Sequence, residues 1–163
     1  MEMLIDNQRI INILEKIPDP EIPVLSVMDL GIVRNISQSE NEILITITPT
    51  YSGCPAMDMI KDDIIDNFHR KGIKVTVQYT LSPPWTTDWL SEKGKRKLKE
   101  YGIAPPVNPT ANKKALLNLE KTISCTHCGS INTEIVSQFG STPCKALFKC
   151  NDCLEPFDYF KCL

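Results

Sequence analysis

The chain has 163 residues, of which 42% are hydrophobic and 23% charged, and its formal net charge is -2 at pH 7. This composition excludes a disordered or fibrous chain and is typical of a globular protein with a core. The near-neutral charge disfavours a nucleic-acid partner, and no apolar run is long enough to span a membrane. Since no signal peptide opens the chain, we expect a cytoplasmic protein without a membrane partner.

The first elements in chain order are a helix and a hairpin. Apolar residues at helical spacing predict an amphipathic helix over Asp6–Ile17, which Pro18 ends. Two extended segments follow, Ile32–Ile36 and Ile43–Thr48, and a polar stretch separates them. Their alternating isoleucines predict an antiparallel pair of strands with one apolar face.

A second helix and a third strand complete this half of the chain. The helix follows Pro55, which suits the first helical turn, and ends at Gly72. Alternating apolar residues over Ile73–Tyr79 then predict a strand. The order helix, hairpin, helix and strand predicts an α+β fold, a small sheet with helices packed on one face.

The middle of the chain predicts short helices and then a linker. Ser82–Gly102 carries two tryptophans and a basic run, which we interpret as a solvated helix face without a nucleic-acid partner. A proline-bearing stretch follows, in which the apolar periodicity fades. We therefore predict a domain over 1–103, a linker over 104–122 and a second domain over 123–163.

Cysteines dominate the second predicted domain, since six of the seven in the chain fall from Cys125 onward. Four of them form two C-x2-C pairs, a spacing that turns two sulfur atoms toward one ion: Cys125, Cys128, Cys150 and Cys153. The reducing cytosol favours metal ligation over disulfides. The spacing predicts a β-rich zinc ribbon, although an iron site of the rubredoxin kind would use the same ligands. Four thiolates close the coordination shell, so the expected role of the metal is structural.

Three further metal-binding side chains lie in this region. His127 is a middle residue of the first pair, where a side chain is expected to point away from the ion. Cys144 and Cys162 are interpreted as buried small hydrophobes, ligands of a second metal or a redox pair. These alternatives stay open at this point.

Cys54 is the one cysteine before residue 125, and it directly precedes the proline that begins the second helix. The helix dipole and unpaired backbone N–H groups should lower its pKa and favour metal binding or nucleophilic attack. Asp19, Glu21 and Asp29 lie in other loops and could converge with it in the folded chain. The alternative is a buried cysteine in a helix cap, with acidic residues that only cap turns.

Five segments together carry a family resemblance that covers nearly the whole chain. They are DPEIP (19–23), DLGIV (29–33), TPTYSGCP (48–55), SPPWTTDWLSEKGKRKLKEYGIAPP (82–106) and STPCKALFKCNDCLEPFDYFK (141–161). The set closely resembles the PaaD family, the accessory subunits of the phenylacetate-CoA oxygenase. The first part is similar to the small α+β domain of SufT-like iron-sulfur assembly factors.

The resemblance implies an accessory role in aerobic phenylacetate degradation, in which a multicomponent di-iron oxygenase epoxidises phenylacetyl-CoA. The chain would assist maturation of an iron-sulfur or di-iron centre, with oxygenase or reductase subunits as partners and no catalytic activity of its own. Cys54 would be a transient ligand of iron or of a cluster, supported by Asp19 and Glu21, and the paired cysteines would hold structural zinc. Two alternatives remain: a nucleic-acid-binding zinc ribbon, and a thiol redox protein that uses Cys54.

Overall fold

A computed structural model describes residues 5–40, 42–106 and 123–161 of the chain. Its contacts divide the chain into two compact units, Met1–Trp85 with Trp89–Ser91, and Thr86–Asp88 with Glu92–Leu163. We predicted that the first domain ends at residue 103, but the second unit already includes Glu92 and the residues after it. Of the predicted linker, residues 107–122 lie outside the described residues. The bounds of separately folding domains stay a prediction. No helix in the described part of the chain combines the length and apolarity that a membrane span requires.

The first unit opens with helix α1, Asn7–Leu14, which confirms the first predicted helix. The Asp6 carboxylate caps it by accepting a hydrogen bond of 3.2 Å from the Gln8 N–H. The helix buries Ile10, Ile13 and Leu14, the apolar stripe of the sequence pattern. It ends three residues before the predicted end, because the last backbone bonds tighten into i→i+3 turns.

The sheet of this unit has three strands in the order β1-β2-β3: Val33–Gln38, Ile43–Ile47 and Val75–Tyr79. Strands β1 and β2 form the predicted antiparallel hairpin. Strand β3 pairs with β2 in parallel, which places the carboxyl ends of these two strands at the same edge of the sheet. The connection between them is helix α2, Ala56–His69.

Helix α2 packs on β3 and contacts α1. Its buried side chains have the predicted helical spacing: Met57, Ile60, Ile64 and Phe68. Burial of each such side chain contributes roughly 1.5–3 kcal/mol to the stability of the fold. Gly72 follows the helix with a φ of +71°, a conformation that glycine adopts without strain. These contacts confirm the predicted α+β class.

Two tryptophans of the first unit, Trp85 and Trp89, pack against residues just before and within β1. The Trp85 indole N–H donates a buried hydrogen bond of 2.8 Å to the Leu30 carbonyl. The Arg34 guanidinium lies 3.4 Å from the centre of the Trp89 ring, a cation-π contact. Gly31 has a φ of +70°, and a Cβ there would come within 2.1 Å of the Trp89 carbonyl oxygen. Close backbone approach therefore requires glycine at position 31.

The second unit contains helix α3, Glu92–Tyr101, and a four-stranded sheet. The strands are β4 (Ile103–Ala104), β5 (Thr133–Ser137), β6 (Lys145–Cys150) and β7 (Pro156–Phe160). Their order is β4-β7-β6-β5, with β4 parallel to β7 and the other pairs antiparallel. Helix α3 and a 3₁₀ turn at Thr87–Trp89 agree with the predicted short helices, and β5, β6 and β7 agree with the predicted ribbon strands.

Aromatic side chains build the small core of this sheet. The Phe148 ring stacks on Phe157 at a centroid distance of 5.8 Å and meets Tyr159 edge-on at 5.6 Å. Ile123 and Ala146 pack in the same cluster, together with the thiols of Cys125 and Cys150. Cys153 packs against the same cluster, so three cysteines lie at the boundary between the apolar core and the candidate metal centre.

Candidate metal centre and the Cys54 loop

Two turns bring four cysteine sulfur atoms together in the second unit. Cys125 and Cys128 lie in the turn before β5, and Cys150 and Cys153 lie where β6 turns into β7. The sulfur atoms of Cys125 and Cys153 are 3.7 Å apart, and those of Cys128 and Cys150 are 3.6 Å apart. All four lie within 4.8 Å of one another. The sequence prediction named these four residues, and the fold brings them to one place.

The sulfur separations fit a tetrahedral ion. Metal-sulfur bonds of ~2.3 Å at the tetrahedral angle place neighbouring sulfur atoms about 3.8 Å apart. A disulfide would require about 2.05 Å, so the cysteines are not arranged as covalent pairs. Within the described ranges, no other group of three or more histidine, cysteine or carboxylate side chains comes this close together. Zinc and iron both accept four thiolates, and the donor set fits either ion.

The pKa values of the clustered thiols determine how many protons a bound cation has to displace. Backbone N–H groups of Cys153 and Asp152 lower the pKa of Cys150 to about 7. At Cys153 the N–H of Glu155 favours the thiolate, but burial and the neighbouring sulfur atoms raise the pKa to about 12. At Cys128 the Ser130 N–H favours the thiolate, but the Cys150 thiol and burial outweigh it and raise the pKa. A metal ion must therefore displace protons when it binds.

The three other metal-binding side chains of this region do not enter the described cluster. The His127 ring nitrogen Nε2 lies 3.1 Å from the Pro156 carbonyl, which ties the first turn to the start of β7. Cys144 is buried elsewhere in the unit, with its sulfur 3.0 Å from the Thr142 hydroxyl. Cys162 lies outside the described residues. Neither His127 nor Cys144 therefore replaces one of the four cysteines.

The Cys54 loop follows β2 and ends at the start of α2. The Cys54 carbonyl accepts the Met57 N–H at 3.3 Å, while the Ala56 N–H and the Tyr51 hydroxyl are placed to stabilise a thiolate. Burial nevertheless raises the pKa of the Cys54 thiol, and the carboxylates of Glu21 and Asp19 raise it further. The expectation that the helix start lowers this pKa is therefore wrong. Partial burial and two nearby negative charges outweigh the backbone donors.

Asp19 and Glu21 approach Cys54 closely enough for their charges to act on its thiol. Asp19 is buried, and its Oδ1 accepts the N–H groups of Glu21 at 2.9 Å and Ile22 at 2.7 Å. This carboxylate thus shapes the turn that presents Glu21. Asp29 is held differently, because its carboxylate accepts hydrogen bonds from Ser26 and Ser91. The fold brings two of the three predicted acidic residues to Cys54 and gives the third a structural role.

Two tyrosines that sequence reasoning missed support this loop. Tyr51 lies within the loop, and its hydroxyl is placed to stabilise a Cys54 thiolate; its position in the loop was the only signal in the sequence. The Tyr79 hydroxyl, at the end of β3, lies 3.0 Å from the Asp58 carboxylate and 3.3 Å from the Met57 carbonyl. Burial and the bond to Asp58 raise the pKa of Tyr79 to about 12, so this contact persists at neutral pH. It fixes the start of α2, and with it the end of the Cys54 loop.

Two family models match successive parts of the chain. Residues 7–77 match a family described as "Iron-sulfur cluster assembly protein", and residues 109–161 match one described as "PaaD zinc beta ribbon domain". The first range includes α1, β1, β2, the Cys54 loop, α2 and the first three residues of β3. The second includes all four clustered cysteines.

Similar proteins and structures agree with this division. An Escherichia coli (strain K12) protein, described as a putative subunit of 1,2-phenylacetyl-CoA epoxidase, is 45% identical over 152 residues, which cover 93% of this chain and 90% of the relative. An "Fe-S protein maturation auxiliary factor" of Porphyromonas gingivalis is 35% identical over 60% of this chain and 94% of its own. A crystal structure of a domain of unknown function from Bacillus anthracis is 27% identical, with a TM-score of 0.52 over 56% of this chain and 89% of that one.

Proposed function

Because the chain belongs to the PaaD family of 1,2-phenylacetyl-CoA epoxidase subunits, we propose that it is an accessory protein of aerobic phenylacetate degradation. It assists maturation of an iron-sulfur or di-iron centre in the phenylacetyl-CoA oxygenase complex. The observation that carries this proposal is the joining, in one chain, of an iron-sulfur assembly domain and a PaaD ribbon. Its partners are the oxygenase or reductase subunits that receive the metal centre.

In this proposal, Cys54 is the residue that meets the transferred iron or cluster. Its raised pKa keeps the thiol protonated at neutral pH, so arrival of a metal cation displaces the proton and forms a thiolate ligand. The carboxylates of Asp19 and Glu21 attract that cation, and the Tyr51 hydroxyl supports the thiolate. A single protein thiol also suits a transient site, because one ligand releases a metal more readily than four.

The ribbon has a different role in the proposal. Cys125, Cys128, Cys150 and Cys153 would hold zinc, which supplies a cross-link where the core of this unit is small. Four thiolates leave no position open for a substrate or an activated water molecule. The metal therefore stabilises a module that docks on the partner, and the transferred iron is handled at Cys54.

The two alternatives from the sequence receive less support. A thiol redox protein would use a cysteine with a lowered pKa, whereas the pKa of Cys54 is raised. A nucleic-acid-binding ribbon would carry a basic surface, whereas the formal charge of the chain is -2. We therefore propose no catalytic activity for the chain and no nucleic-acid partner.

The proposal is tested by co-expressing the chain with the oxygenase and reductase subunits and measuring iron and sulfide in the purified partners. Cys54→Ser should lower the iron or sulfide content of one partner and leave zinc in the chain unchanged. Ser52→Ala, at an exposed position of the same loop, serves as the matched control and should leave both values unchanged.

Partner subunits with full iron and sulfide in the presence of Cys54→Ser would contradict the role of Cys54. Full loading in the complete absence of the chain would contradict the accessory function itself. Measuring zinc in the same samples separates a failure of metal transfer from a damaged ribbon.

A further inference from the structure

A network of polar side chains joins the two cysteine turns beside the candidate metal centre. Ser130 and Asn132 follow the first turn, and Asn151 and Asp152 are the middle residues of the second. The Asn151 N–H donates a backbone hydrogen bond of 2.8 Å to the Asn132 carbonyl. The network therefore crosses from one half of the cysteine cluster to the other.

Asp152 lies at the centre of this network. Its Oδ1 accepts a hydrogen bond of 2.9 Å from the Asn132 side-chain amide, and its Oδ2 accepts one from the Ser130 hydroxyl. The Ser130 hydroxyl in turn accepts the Asn132 N–H at 3.0 Å, so its proton is directed toward the carboxylate. Both oxygens of Asp152 are thus bound to the segment that follows the first turn.

The same network reaches the sulfur atoms through the backbone. The Asp152 N–H donates to the Cys150 sulfur, and the Ser130 carbonyl accepts the Cys125 N–H at 2.8 Å. A shift of Asp152 away from Ser130 would therefore move a sulfur atom of one turn relative to the other. Groups that orient the ligands of a metal in this way commonly change its affinity although they do not touch it.

We propose that Asp152 is a positioning residue for the metal centre. Its carboxylate holds the two cysteine turns at the separation that a tetrahedral ion requires, before the ion binds. The entropy lost in ordering the cysteine turns is then partly lost already when the chain folds, before the ion binds. The ion is therefore bound more tightly and released more slowly. This inference depends on the proposed metal site but is independent of transfer at Cys54.

The test uses the full chain, stripped of metal and titrated with Co²⁺, whose absorption bands report a tetrahedral thiolate site. Asp152→Ala should bind Co²⁺ roughly tenfold or more weakly and release Zn²⁺ faster to a chromogenic chelator. Its spectrum at saturation should equal that of the unchanged chain, because the four sulfur ligands remain. Asp152→Asn keeps an acceptor for the Asn132 amide, so its Co²⁺ affinity should lie between those of Asp152→Ala and the unchanged chain. Glu134→Ala, which removes an exposed carboxylate from β5, is the control and should change nothing.

Ser130→Ala keeps the proposal testable if Asp152→Ala fails to fold, since it removes only the hydroxyl that binds the carboxylate. It should also weaken Co²⁺ binding, and combining both changes should add less than the sum of the two. Equal Co²⁺ affinity in Asp152→Ala and the unchanged chain would overturn the proposal. A changed spectrum at saturation would overturn it too, because Asp152 would then be a ligand. Failure of the unchanged chain to bind any metal would instead refute the metal site itself.

Discussion

The carboxylate of Asp29 accepts a hydrogen bond of 3.1 Å from the hydroxyl of Ser91, which lies 62 residues further along the chain. Its other oxygen accepts bonds from the N–H and the hydroxyl of Ser26. Asp29 is only 4% exposed, so water cannot replace these partners. This carboxylate joins the loop before β1 to Ser91, two residues beyond Trp89.

Loss of this carboxylate should therefore reduce stability. We expect Asp29→Ala to lower the free energy of unfolding by about 3 kcal/mol, because it leaves the buried donors of Ser26 and the partly buried hydroxyl of Ser91 unpaired. Urea unfolding followed by tryptophan fluorescence measures it, since Trp85 and Trp89 lie in the same unit. The control is Glu40→Ala, an exposed position of that unit. Equal losses for the two variants would contradict the structural role of Asp29.

Gly31 offers a second test of the same region. Gly31→Ala must hold a side chain at a φ of +70° and bring Cβ within 2.1 Å of the Trp89 carbonyl oxygen. Gly72→Ala is a matched control, because its φ is +71° and nothing lies within 4 Å of its added Cβ. The control should cost about 1–2 kcal/mol from conformation alone, and Gly31→Ala should cost clearly more. Similar midpoints in urea would show that Trp89 does not restrict this position.

The acidic neighbours of Cys54 predict a change in its reactivity. Since the charge of Glu21 raises the pKa of Cys54, Glu21→Gln should lower that pKa. The thiolate fraction at neutral pH then rises, and alkylation of Cys54 by iodoacetamide becomes faster. The rate is measured against pH by mass spectrometry of the Cys54 peptide. Glu40→Gln is the control, and its alkylation rate should depend on pH in the same way as that of the unchanged chain. If Glu21→Gln also showed this unchanged pH dependence, the charge of Glu21 would have no effect on the Cys54 thiol.

Metal removal should affect the two units unequally. We expect a chelator to lower amide protection over 123–161, because the ion cross-links the two cysteine turns and so adds to the stability of this unit. Peptides from 5–85 should keep their protection, since the cysteine cluster lies in the other unit. Hydrogen exchange measured by mass spectrometry resolves both regions in one sample. Equal loss of protection in both would indicate that they unfold together.

A large part of the fold is predictable because its signals are local. The buried stripe of α2 and the alternating residues of β2 repeat within a few positions. The spacing of the two cysteine pairs is by itself enough to identify the four metal-ligand candidates. The end of α1 is less predictable, since Ile17 is buried and apolar although it lies beyond the helix. Burial and helical conformation are separate properties that one sequence pattern cannot distinguish.

The properties of the Cys54 loop depend on residues that are distant in sequence. The sign of the pKa shift at Cys54 reflects burial and the approach of Glu21 and Asp19, which a helix-start pattern does not contain. The role of Asp29 required knowledge of its partner Ser91. Sequence reasoning thus found the chemically important side chains, but only the fold separated those beside Cys54 from those that hold loops together.

The two-residue strand β4 limits how this chain can be cut or recombined. Ile103 and Ala104 pair with β7 and form one edge of the ribbon sheet, although they precede the family match that begins at residue 109. A ribbon excised at 109, or grafted onto another protein from that point, would expose the backbone groups of β7 that β4 now covers. An expression fragment or chimera that contains the four cysteines should therefore begin no later than Glu92, so that it also includes α3 and β4.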